Sequence, residues 1–165
     1  MKPTCFTPVT TIAAAACAAA MLITTATPAF AQEATRLSGV GYFAEAEDCD
    51  WESVGADFAL LLTGDLEGCL FVFVDTATYT PSGTYVETGT ELFVSEEGSF
   101  ETVYRFEAKY EDAVNLLGEI FGRCQHVIVE ESGTGVFAGV RGRIDFKDDI
   151  EAGEFPYRGS LKYAE

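Results

Sequence analysis

Three stretches near the C-terminal end decide the fold: GRCQHVIV (122–129), SGTGVFAGVRGRIDFKDD (132–149) and FPYRGSL (155–161). In the second, Val140, Ile144 and Phe146 alternate with Arg141, Arg143, Asp145 and Lys147. That period of two belongs to a strand with one buried face. In the first stretch Cys124, His126 and Ile128 share a face. Glycines cluster between them at Gly133, Gly135, Gly139 and Gly142. Short alternating strands joined at glycine corners, where the backbone bends or approaches closely, indicate an antiparallel sheet closed into a barrel.

The same pattern extends toward the N-terminus. Phe100, Thr102, Tyr104, Phe106, Ala108 and Tyr110 lie on one face, with Glu101, Arg105, Glu107 and Lys109 on the other. Strands are predicted at 39–46, 56–63, 69–79, 84–94, 100–110, 123–130, 140–147 and 157–163. They are separated by turn signals at 64–68, 81–83 and 96–99. The fold class that follows is all-β, an eight-stranded antiparallel up-and-down barrel. Only Glu111–Glu119 has helical character, and it is short. A hairpin turning around Glu97-Gly98-Ser99 would set Glu91 opposite Arg105 and Glu87 opposite Lys109. Leu70 to Val74 is apolar on both faces, so its outer side is either covered or meets another subunit. A subunit contact is the expectation.

Residues 1–31 read as a secretory signal peptide. Lys2 precedes a short apolar run from Ile12 to Ile23, and Ala29-Phe30-Ala31 forms a cleavage signature. Residues 32–165 then form a single barrel domain, secreted or periplasmic. The apolar run falls short of the roughly 20 residues needed to span a bilayer, and no other segment qualifies as transmembrane. Loss of Lys2 takes the net charge from −17 to −18. So acidic a chain disfavours nucleic acid, whose affinity comes from lysine and arginine on phosphates, and its ordinary meaning is a solvated, self-repelling surface.

Cys49, Cys69 and Cys124 follow the leader. In an oxidising compartment two of them should pair. Counting strand ends in an up-and-down order favours a Cys49–Cys124 disulfide, with Cys69 free. With one histidine in the chain, a zinc site of the Cys/His type is not expected. The acids Asp148, Asp149 and Glu151 lack the spacing of a calcium loop, and the glycine cluster lacks the helix that a phosphate-binding loop requires. Neither a metal nor a cofactor is implied.

His126 is the one candidate general base, although no serine elbow accompanies it. Aromatic residues make up 13% of the chain. Phe100, Tyr104, Phe106, Tyr110, Phe146, Tyr157 and Tyr163 occupy inward-type positions. These rings either fill the barrel as a core or leave an apolar pocket with a few phenol hydroxyls, the usual form of a small-ligand site.

The block GTGVFAGVRGRIDF (133–146) followed by FPYRGSL resembles the C-terminal strands of allene oxide cyclases and, more loosely, the GTG segment of dirigent proteins. With LTGDLEGC (62–69), TPSGTYVETGTELF (80–93), GRCQHVIV and FKDD (146–149), the chain resembles a family of secreted bacterial proteins grouped with those barrels. The resemblance covers about residues 55–163. It implies an eight-stranded barrel with an aromatic-lined cavity, assembling as a homo-oligomer, often a trimer. The polar motif of the cyclases has no counterpart in residues 38–63, so no catalytic residue is carried over. Three functions follow as alternatives: binding of a small apolar molecule, a cyclase or isomerase acting on a lipid-like substrate by conformational control, or a structural protein with a filled barrel. A filled interior would leave only the last. A buried Glu, Arg or His in an open cavity would favour catalysis.

Overall fold

The computed structural model describes residues 33–112 and 114–163; the leader assigned to 1–31 lies outside the described residues. Eight strands follow in chain order: β1 (Thr35–Phe43), β2 (Phe58–Gly64), β3 (Gly68–Tyr79), β4 (Thr84–Val94), β5 (Ser99–Asp112), β6 (Leu117–Ile128), β7 (Val140–Lys147) and β8 (Phe155–Tyr163). Each pairs antiparallel with the next, and β8 returns to β1, from Thr35↔Leu161 to Gly41↔Phe155. The result is a closed up-and-down barrel. The stretch with helical character at 111–119 instead ends β5 and begins β6. Among the described residues no helix is long and apolar enough to cross a membrane.

One half of the interior is packed solid. Leu37, Leu62, Leu66, Leu70, Phe93, Phe100, Ile128, Val140 and Leu161 meet there. Three rings form its centre, with centroids 4.9 Å (Phe93–Phe100), 5.7 Å (Phe93–Phe137) and 5.2 Å (Phe100–Phe137) apart. Phe137 arrives on a 3₁₀ turn, Gly135–Phe137, in the β6–β7 connection. Gly135 has φ 57°, a left-handed conformation that glycine adopts without strain. The next amide, Val136 N–H, donates to Glu97 O at 3.0 Å. The glycine cluster thus clamps this loop onto the β4–β5 turn and drives Phe137 into the barrel end. Tyr157, 1% exposed, closes the same end. Its hydroxyl accepts from Leu66 N–H at 2.9 Å and donates to Thr63 O at 3.1 Å, fixing the β2–β3 turn.

The outer face of β2 and β3 is covered by the protein itself. Residues 44–57 fold back across it with a four-residue helix, α1 (Trp51–Val54). Cys49 and Ala56 pack on Ala59 and Phe71, bordered by Trp51, Leu61, Cys69 and Phe73. This accounts for the doubly apolar run at 70–74 without a second subunit at Phe71.

The disulfide joins Cys49 to Cys69 rather than Cys49 to Cys124. Strand-end counting failed because β2 is short: Leu60 pairs with both Phe43 and Leu70. Cys69 therefore stands level with the end of β1, where the returning loop carries Cys49. Cys124 is the free cysteine among the described residues, on the inward face with His126.

The β4–β5 register also differs from expectation. A four-residue turn at 95–98 closes directly on Val94↔Ser99, so Glu91 faces Thr102 and Glu87 faces Phe106. Arg105 stands opposite Thr88 and Lys109 opposite Thr84. The two glutamates consequently point into the barrel.

Candidate functional site

The other half of the barrel encloses a cavity of about 530 Å³. Its apolar wall consists of Phe43, Phe58, Leu60, Val72, Phe106, Phe146 and Phe155. Phe43, at the mouth, is 66% exposed and meets Phe155 edge-on, centroids 4.9 Å apart. Along β5 the inward residues descend from Tyr110 at the mouth through Phe106 and Tyr104 to Thr102, where the solid half begins.

Three polar groupings sit at successive depths. Deepest are Glu91, Thr102 and His126, each 3% exposed or less. The Thr102 hydroxyl donates to Glu91 Oε2, and His126 Nδ1 lies 2.5 Å from the same oxygen. With a carboxylate as acceptor, Nδ1 carries the proton. Nε2 has no hydrogen-bond partner among the described residues. The imidazole is held between Phe146, 4.6 Å away, and Tyr104, stacked at 6.1 Å.

Glu87 forms the middle grouping, accepting from Tyr104 at 2.8 Å and from Tyr85 at 2.5 Å. Burial first, then the hydrogen bonds to this carboxylate, push both phenols upward, so they remain donors. A β-carbon at Gly89 would lie 2.7 Å from the Tyr104 ring; the glycine makes room for that ring on β4.

At the mouth the Asp148 and Glu119 carboxyls share the space over Gly122, where a β-carbon would lie 2.5 Å from Glu119 Oε1 and closer to Asp148. Tyr110 donates to Glu119 Oε2 at 3.5 Å. Among the described residues Glu119 Oε1 has no donor unless the Asp148 carboxyl beside it is protonated. Burial, reinforced by the hydrogen bond to Glu119 and by its charge, pushes Asp148 from 3.8 up to about 7.

That proton links stability to pH. The folded protein retains it where the unfolded chain has released it. The stabilisation is complete below pH 3.8 and is lost as pH rises through about 7. Asp148→Asn is expected to flatten the stability curve across this window. At pH 8 it should raise the unfolding free energy by about 1–2 kcal/mol, a figure reduced from the full shift because the group is partly solvated. Urea unfolding at pH 4, 6 and 8 checks both the slope and the sign.

Of the residues picked from sequence, Tyr104, Phe106, Tyr110 and Phe146 line the cavity, and so does His126. Phe100 and Tyr157 do not: they belong to the solid half, with Tyr163 packed partly buried against it. Along an inward face, depth decides between core and wall, and alternation carries no depth. Sequence reasoning missed Glu87 and Glu91, although both share the parity of Tyr85 and Phe93 on β4. It also missed Glu119, hidden in the stretch given helical character. Cys124 lines the cavity, and burial raises its thiol, leaving it a poor nucleophile. Among the described residues no group of three His, Cys, Asp or Glu is placed to hold a metal ion. Asp149 instead closes its own turn, accepting from Ala152 N–H at 3.1 Å.

Compared with known protein families, the chain matches none, and no curated protein is significantly similar to it.

Proposed function

We propose that this protein binds a small, largely apolar molecule inside the barrel. The supporting observation is the contrast between the two halves: the rings of one fill it and leave only a polar depression among the turns at its end, whereas the other keeps about 530 Å³ walled by rings and crossed by a few oriented polar groups. That volume suits one small organic molecule. N-Phenyl-1-naphthylamine, a neutral probe that fluoresces in apolar surroundings, is expected to bind with one site per chain. Leu60→Trp, which fills the cavity from β2, should weaken binding at least ~10-fold while the variant melts within a few degrees of the wild type. Unchanged probe affinity in that variant would refute the proposal.

The buried Glu91–His126 pair favours a second reading, an isomerase or cyclase in which Nε2 moves a proton on a lipid-like ligand held in one conformer. Export is part of the proposal, supported by the Cys49–Cys69 disulfide and the leader-like residues 1–31. So is assembly as a homo-oligomer, a trimer by resemblance to the allene oxide cyclase barrels. Exposed Leu117, Ile120 and Phe121 on β6 supply an apolar surface for it. Native mass spectrometry of the exported protein reads subunit number and retained ligand together.

A further inference from the structure

The cavity carries a charge imbalance that the protein does not itself resolve. Glu87, Glu91, Glu119 and Asp148 all line it, and among the described residues its lining includes neither lysine nor arginine. The arginines that form ion pairs are held elsewhere: Arg105 and Arg123 by Glu107, Arg143 by Asp145, each about half exposed on the outer surface. Suppose His126 were an imidazolium and Glu119 and Asp148 shared one proton. Two of the four carboxyl groups would still be uncompensated. Carboxylates removed from water without a counter-charge are costly, and a bound cation offsets that cost.

A second observation is independent of the acids. His126 is 2% exposed, its Nδ1 is committed to Glu91, and its Nε2 is unpartnered in a ring that lines the cavity. In the neutral imidazole a proton on Nδ1 leaves Nε2 with a lone pair that no donor meets among the described residues. Phe106, Phe146 and Phe155 line the same space, and an aromatic face attracts positive charge. A neutral apolar ligand would satisfy the rings and leave both the carboxylates and Nε2 unanswered.

We infer that the ligand is a small hydrophobic amine, bound as its ammonium ion, with an N–H donated to His126 Nε2 and its charge balanced by the carboxylates around it. This rests on the proposed binding cavity and specifies the class of ligand. Glu87 is the main electrostatic partner: Tyr85 donates to its Oε2 and Tyr104 to its Oε1, which holds the group in the cavity wall at middle depth.

Three compounds of one shape separate the terms: 4-phenylbutylamine, its N,N,N-trimethyl derivative, which has the charge but no N–H, and 4-phenylbutan-1-ol, which has neither charge nor N–H⁺. In calorimetric titrations of the intact protein at pH 8, the amine is expected to bind ~30-fold more tightly than the alcohol, with the quaternary ion between them. Glu87→Gln should remove most of the amine's advantage over the alcohol, read as the ratio of their two dissociation constants in the same variant. Glu119→Gln, nearer solvent, should remove part of it and serves if the first variant does not fold. Equal binding of alcohol and amine, with the neutral probe still bound, would overturn the amine assignment and leave the cavity reading intact. Equal binding of the primary and quaternary ions would overturn the role of Nε2. Failure of every compound, the neutral probe included, would remove both proposals.

Discussion

Phe100→Ala is expected to lower the unfolding free energy by about 3–5 kcal/mol, the largest effect of any substitution considered for this protein. The side chain is 0% exposed and contacts Phe93 and Phe137 at centroid distances of 4.9 and 5.2 Å. Truncation opens a void between β4, β5 and the β6–β7 loop. The loop cannot follow inward, because Thr134 N–H donates to Ser99 O and Val136 N–H to Glu97 O, tying it to the β4–β5 hairpin. Phe106→Ala is the informative control. It removes the same ring from the same strand, but from the cavity wall, where little packing is lost and no enclosed void is created. A loss below about 2 kcal/mol is expected there. Equilibrium urea unfolding of both variants checks the difference. Equal losses would show that the two halves of the barrel are packed alike.

Replacing Cys49 and Cys69 together with serine is expected to cost about 2–4 kcal/mol, lowering Tm by roughly 10 °C. The bond spans a sequence separation of 20, so its loss frees the unfolded chain. It also releases residues 44–57 from the outer face, where Phe71 is only 8% exposed. Calorimetry of the double variant reads the first effect. Binding of a hydrophobic dye to the outside, measured with the cavity blocked by Leu60→Trp, reads the second. Cys124→Ser should change Tm by no more than a few degrees, because that thiol closes no loop.

The strands were legible in the sequence because their chemistry alternates. The expected spans 84–94 and 140–147 coincide with β4 and β7, and the glycine cluster at 133–142 marked a real corner. What the sequence did not carry was relative height. Cys49 and Cys69 meet because Cys69 pairs with Leu61 and Leu61 with Tyr42, beside the end of β1 from which the loop carrying Cys49 folds back. Alternation alone pairs Glu87 with Lys109 and Glu91 with Arg105 on the outer face, since acids on a strand ordinarily find cations in solvent. Their parity with Tyr85 and Phe93 was the available sign that they turn inward. For Cys124, sharing a face with His126 and Ile128 already placed it inside, out of reach of a loop cysteine on the exterior.

The seam between β1 and β8 has a consequence for how the molecule is made. These strands are first and last in the sheet, yet seven residue pairs join them, from Thr35↔Leu161 to Gly41↔Phe155. A ribosome must have made the chain as far as Leu161 before that ladder can zip. Until then every partly assembled sheet presents two unsatisfied borders to its neighbours, the condition that invites intermolecular pairing. Contacts so distant along the chain also slow assembly. The vulnerable interval therefore falls during biosynthesis, and a completed ring offers no free strand on which another chain could grow.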